Sequence, residues 1–133
     1  MSGFVQASAY AVTVDGNCSR VQAALVKKHI SGQIDALGKT DWKLAYSFAS
    51  PKFRSTVTIA QFTSIITSSY GMLVKNQGYR FDTCRFATGT ITQDLIVRGD
   101  TQIFYLTYML SIKGSKLGIE SARTTNVETI ANA

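Results

Sequence analysis

Acid–base chemistry in a small protein needs a carboxylate or an imidazole held inside a pocket beside a polarising partner. This chain has few groups to offer. Its one histidine is His29, and seven carboxylates follow it: Asp35, Asp41, Asp82, Asp94, Asp100, Glu120 and Glu128. Asp35 lies off the apolar stripe of its helix, Asp41 is placed to cap a helix, Asp100 sits in a turn and Glu128 in the tail. Asp94 has the opposite strand parity to Ile91, Leu95 and Val97, and Glu120 the opposite parity to Leu117 and Ile119. Both are expected to point away from the core, unless a bulge reverses the parity locally. Asp82 is ambiguous, because aromatic residues occupy both parities of its strand. No catalytic residue is assigned on this basis.

Other chemistries have less support. One histidine, two distant cysteines and unclustered carboxylates do not make a metal site. No Gly-x-Ser-x-Gly, P-loop or dinucleotide fingerprint occurs, so no cofactor is expected. Cys18 and Cys84 form no CxxC pair. A bridge would need the N-terminal segment beside the first long strand, and two free, partly buried thiols are the favoured reading. The net charge of +6 permits contact with anions, but the basic residues are scattered and only Lys27-Lys28 are adjacent. Arg80, Phe81, Arg85 and Phe86 interleave charge with aromatics, a pattern able to stack on nucleic acid. The phenylalanines fit a core better, and nucleic acid is not the expected partner.

These residues must be positioned by elements that the pattern marks clearly. The 133 residues suit one domain, and 45% are hydrophobic, enough for a core. Residues 1–18 read as an N-terminal arm or edge strand, with a β-compatible stretch at 8–14 and a turn at Asp15-Gly16-Asn17. Residues 19–125 read as the domain and 126–133 as a fraying tail. Ser19 caps a helix to about Gly38, with Ala23, Val26, Ile30, Ile34 and Leu37 on one stripe. Asp41 caps a second helix, with Trp42, Ala45, Phe48 and Ala49 on its buried side, and Ser50-Pro51 stops it. Thr58-x-x-Gln61 is a capping box for a third, carrying Ile59, Phe62, Ile65, Ile66, Tyr70 and Leu73. The period then changes to two. Strands are expected at 79–87, 90–98, 101–113 and 116–125, joined by short glycine-bearing links that mean antiparallel hairpins. Three N-terminal helices on a four-stranded antiparallel sheet is an α+β fold.

The segment DWKLAYSFASP, followed by a phenylalanine-containing helix ending in SSYG, resembles an uncharacterised bacterial family. The matching positions are Asp41, Ala45, Phe48, Ala49, Ser50, Pro51, Phe62 and Tyr70, and the likeness covers about residues 25–125. That family is similar to the nuclear-transport-factor-2-like, or cystatin-like, α+β superfamily. The resemblance implies a curved, cone-shaped sheet wrapped around helices, a pocket, and in many members a homodimer. It also implies a range of roles: isomerases, cyclases, dehydratases, binding subunits and assembly domains. The chain departs from the pattern at Leu117, where the family's last strand usually begins with Trp.

Together these readings favour a non-catalytic binding or assembly module with a possible small-molecule pocket. Its pocket candidates are His29, Gln33, Tyr46, Tyr70 and Asp82. The alternatives are a pocket enzyme using Asp82 or His29 with a tyrosine, and a nucleic-acid binder. A homodimer is expected from the second face of the third long strand, where Ile103, Tyr105 and Met109, joined by Ile96, break the apolar–polar alternation of a sheet with one wet side. No run of about 18 apolar residues encodes a membrane span. The N-terminus has no signal-peptide pattern, which slightly favours the cytoplasm.

Overall fold

The structure is a computed structural model, and it describes residues 15–130. The β-compatible stretch at 8–14 lies outside them. A two-residue strand β1 (Gly16–Asn17) is followed by five helices: α1 (Arg20–Gly38), α2 (Trp42–Ser47), α3 (Pro51–Thr56), α4 (Ile59–Ser69) and α5 (Gly71–Val74). A meander of four long strands follows: β2 (Tyr79–Ala87), β3 (Thr90–Arg98), β4 (Gln102–Lys113) and β5 (Lys116–Thr129). The sheet is antiparallel, in the order β1-β2-β3-β4-β5.

The expected count of three helices and four strands is therefore corrected to five and five among the described residues. The turn-like Gly16-Asn17 pairs with Phe86 and Arg85 as an added edge strand. Pro51 both ends one helix and starts another. It occupies the first turn of α3, where its missing N–H costs nothing, and Ser50 caps that helix by accepting from the Phe53 N–H at 3.0 Å. The third expected helix divides at Tyr70, whose backbone leaves the helical region (φ −130°, ψ 32°). The last strand continues past Thr125 to Thr129, because Gln102–Tyr105 of β4 supply partners for 126–129.

The helix starts follow the caps. Ser19 and Gln22 form a reciprocal capping box, as do Thr58 and Gln61. Val26, Ile30, Ile34 and Leu37 of α1 are fully or almost fully buried against Ile91, Leu95, Val97, Leu106, Tyr108 and Leu110 of the sheet. Trp42 and Phe48 are only half-buried, so Ala45 alone of α2 is fully in the core.

The two thiols are joined. Cys18 and Cys84 form a disulfide with Cα atoms 5.4 Å apart, and the Cys18 N–H donates to the Cys84 carbonyl at 3.0 Å. The pairing of β1 on β2 brings them within bridging distance, which corrects the expectation of free thiols.

Bulges interrupt two strand pairs. Between Phe81 and Cys84 the register of β2 slips, so the core face passes from Tyr79 and Phe81 to Cys84 and Phe86. That slip frees backbone carbonyls, and Gln93 meets them. Its side chain is fully buried, and its Nε2 donates to the carbonyls of Asp94 (2.8 Å), Asp82 (3.2 Å) and Thr83 (3.3 Å). This duty accounts for the buried Nε2, while Gln93 Oε1 is buried without a hydrogen-bond partner among the described residues. In β5, Leu110 pairs with Ile119 and Met109 with Ser121, which leaves Glu120 as an extra residue.

Candidate functional site

The segment from Phe48 to Pro51 forms a seam between the helices and the last strand. Ala49 bridges Ile119 in parallel fashion. The Ser50 N–H donates to the Ile119 carbonyl, and the Ile119 N–H donates to the Phe48 carbonyl, both at 3.0 Å. His29 joins the same carbonyl through Nε2 at 2.8 Å. A carbonyl oxygen only accepts, so Nε2 carries the proton. The Phe48 ring packs edge-on against His29 and lies so close to Gly32 that a side chain there would collide with it.

On one side of this seam a cavity of about 160 Å³ opens between α4 and β5. Its walls are mostly apolar, from Phe53, Phe62, Ile66 and Leu73, with the exposed Ile65 and Ser121 at the mouth. Gln33, Tyr70, Tyr108 and Glu120 line it as well. Gln33 is 4% exposed, and its Oε1 accepts from the Tyr108 hydroxyl at 3.3 Å. Gln33 Nε2 has no hydrogen-bond partner among the described residues. Burial, with Tyr70 and Tyr79 nearby, pushes the Tyr108 phenol well above its ordinary value, so it stays a neutral donor. The Tyr70 hydroxyl donates to the Ala122 carbonyl, which pins the α4–α5 joint to β5 just beyond its bulge.

Of the five expected pocket residues the structure brings Gln33 and Tyr70 to the cavity. His29 is occupied at the seam. Tyr46 donates to the carbonyls of Val57 (2.6 Å) and Arg54 (3.1 Å), which fixes the α3–α4 turn. Asp82 is exposed at the β2 bulge, away from the cavity. The lining residues that were not anticipated include Tyr108, read as core, and Glu120, read as outward. The bulge brings Glu120 to the cavity wall. The signal was present, because Leu117 and Ile119 have odd parity and the core-packed Ala122 has even parity.

The expected interface residues share the opposite face of the sheet. Ile96 lies across from Tyr105, Arg98 from Ile103 and Thr92 from Met109. Met109 is 43% exposed, and the other three are half-buried. Tyr105 donates to Glu128 Oε1 at 2.8 Å, and that bond raises its phenol above the ordinary value. Phe81 and Phe86 pack on the core side, while Arg80 and Arg85 are exposed, so the charged and aromatic residues of β2 do not make one stacking surface. Among the described residues no three of His, Cys, Asp and Glu come together. None of their helices is long and apolar enough to cross a membrane.

A family described as a domain of unknown function (DUF4864) matches residues 19–128. The chain belongs to that family. The match runs from the Ser19 cap almost to the end of β5, so the seam and the cavity are both inside the DUF4864 domain. No curated protein and no solved structure matches the chain.

Proposed function

We propose that this DUF4864 domain is a non-catalytic binding module whose cavity takes the apolar end of a small molecule. The observation that carries the reading is Gln33: an almost fully buried residue on the wall of an apolar cavity, whose Nε2 has no partner among the described residues and is not sealed from solvent. An unpartnered donor in an apolar setting gains from a ligand that brings an acceptor. The cavity is close in size to an engineered one of about 150 Å³ that holds a single benzene ring. A ring or short branched chain with a carbonyl or ether oxygen at its inner end suits it. His29 and Asp82, the residues on which a pocket enzyme was premised, do not line the cavity, and this favours binding over catalysis. Helices preceding an antiparallel meander, with a cavity between the two layers, agree with a nuclear-transport-factor-2-like, cystatin-like relationship. The Cys18–Cys84 bridge supports an oxidising compartment over the cytoplasm.

Acetophenone is the simplest probe, with ethylbenzene as its control lacking an acceptor. A titration followed by backbone amide shifts is expected to perturb residues around Gln33 and Ala122. Gln33→Leu should weaken acetophenone about 3- to 10-fold and leave ethylbenzene nearly unchanged. Equal weakening of both ligands would show that Gln33 does not donate to the bound molecule.

We also propose that the module is a homodimer through Ile96, Ile103, Tyr105 and Met109, a partly apolar patch on the sheet face opposite the helices. Tyr105→Arg with Met109→Glu is expected to leave the circular dichroism unchanged and to raise the dimer dissociation constant at least tenfold. A wild-type protein that is monomeric by light scattering at high concentration would end this reading.

A further inference from the structure

The sheet face turned away from the helices carries its charges in a pattern that one two-fold axis matches to itself. On β2 this face shows Arg80 and Arg85, and Asp82 joins them because it follows the core-packed Phe81 at the bulge. On β3 it shows Thr92, Asp94, Ile96 and Arg98, and on β4 Ile103, Tyr105, Thr107 and Met109. On β5 it shows Ser121, Arg123, Asn126 and Glu128. The register shift at Thr125 keeps Arg123 and Glu128 on one side despite their opposite parity. Asp94 accepts from the Thr107 hydroxyl at 2.9 Å, and Glu128 is held by Tyr105. The side chains of Asp82 and Arg123 have neither a hydrogen bond nor an ion pair among the described residues. The basic residues at these positions are all arginine, which interfaces favour, with Tyr and Met, over lysine.

We infer that two copies pack these faces together about a two-fold axis running along the strands between β3 and β4, so that Asp82 of each copy meets the partner's Arg123. This rests on the reading of the face as a dimer interface and adds which residues meet. Such an axis sets β2 over the partner's β5, and β3 over the partner's β4, at the same level of the sheet. Arg80, Ile96, Tyr105 and Asn126 lie on one level. The next holds Asp94, Thr107 and Arg123, with Asp82 beside Asp94 at the bulge. Ile96 then covers the partner's Tyr105, Thr92 the partner's Met109, and Asp82 the partner's Arg123, each twice by symmetry. No like charges face one another. An axis across the strands matches less well. Through Ile96 it sets Arg80 on the partner's Arg80, and halfway to the next level it sets Asp94 on the partner's Ile96. Sheets packed face to face keep their strands within about 30° and lie about 10 Å apart, a gap that an arginine and an aspartate span together. Rim charges of this kind fix register and partner, while the apolar centre supplies most of the attraction.

The test uses the full chain with two charge reversals, Asp82→Arg and Arg123→Asp, and reads dimer dissociation constants by sedimentation equilibrium. Both residues are exposed, so each variant should fold normally, which circular dichroism checks. In either variant alone like charges meet twice in every dimer, and the dissociation constant should rise about tenfold or more. In an equal mixture the two variants complement each other. The mixed dimer, identified by its mass in native mass spectrometry, should form with an affinity within about threefold of the wild type. Rescue by mixing requires the two positions to meet across the interface, since charges that interact only within one copy stay mismatched in both. A mixture no tighter than its components would overturn this axis. So would single reversals without effect. In both cases a dimer still broken by Tyr105→Arg with Met109→Glu leaves the interface reading standing. A wild-type protein that is monomeric at high concentration ends that reading, and this inference with it.

Discussion

Replacing Cys18 and Cys84 together by serine should lower the unfolding free energy by about 4 kcal/mol, the loop-entropy value for a bridge across this length of chain. The two residues are 66 positions apart in sequence, and the loop they close contains all five helices. Cross-linking its ends removes much of the freedom of the unfolded chain, whereas the native contacts nearby are few. Strand β1 has two residues, both exposed. Its tie to β2 is supported by the Cys18 N–H bond to Cys84 and by Asp15 Oδ1, which accepts from the Thr88 N–H at 2.9 Å. Without the bridge β1 should detach first, and the Ser19 cap of α1 should fray next. Urea unfolding of the oxidised protein and of the double serine variant measures the difference. The melting temperature should fall by roughly 15 °C on the usual scaling for a domain of this size. A loss below about 1 kcal/mol would mean that the unfolded chain already holds these segments together, so that the bridge adds no constraint.

The same two cysteines show where sequence reasoning stopped. Their spacing matches no motif, and only the pairing of Gly16 and Asn17 with Phe86 and Arg85 puts them side by side. Two exposed residues carry no periodic signal, so β1 was legible only as a turn. Helix starts were legible at Ser19, Asp41 and Thr58 because capping is local: each accepts from a backbone N–H three residues on, as does Ser50, which the sequence showed only as a stop with Pro51. The apolar face of β4 was legible because Phe104 to Ile112 alternate without interruption. Where alternation broke, side-chain direction was lost. The β2 bulge explains why aromatics occupy both parities there, and the β5 bulge brings Glu120 to the wall of the cavity. Length also misled: Trp42 is large and apolar, yet α2 is six residues long and leaves it half-buried. The cavity itself was only partly legible, because Gln33 and Tyr70 border it while His29 and Tyr46 satisfy backbone carbonyls instead.

Gly118→Ala should be the most damaging single methyl that can be added near the site. A side chain on Gly118 would start 2.6 Å from the Ser50 Cα and 2.7 Å from its Cβ. Ser50 cannot rotate away. It caps α3, its own N–H is bonded to the Ile119 carbonyl, and it is 1% exposed. The seam must therefore part, and the bonds between Ser50, Ile119 and Phe48 lengthen together. Forced overpacking of this kind costs about 3 kcal/mol. Gly71→Ala is the matched control: it begins α5, has no positive φ, and an added side chain there meets nothing within 4 Å. It should be neutral or slightly stabilising, since alanine limits the unfolded chain more than glycine does. Ala49 and Ile119 of the seam also line the cavity, so in Gly118→Ala the affinity for acetophenone should fall along with stability. Equal stability of the two variants in urea would show that the strand slides past Ser50 at little cost. A Gly118→Ala protein that is destabilised yet binds acetophenone unchanged would instead separate the two roles, making the seam a structural joint that does not shape the cavity.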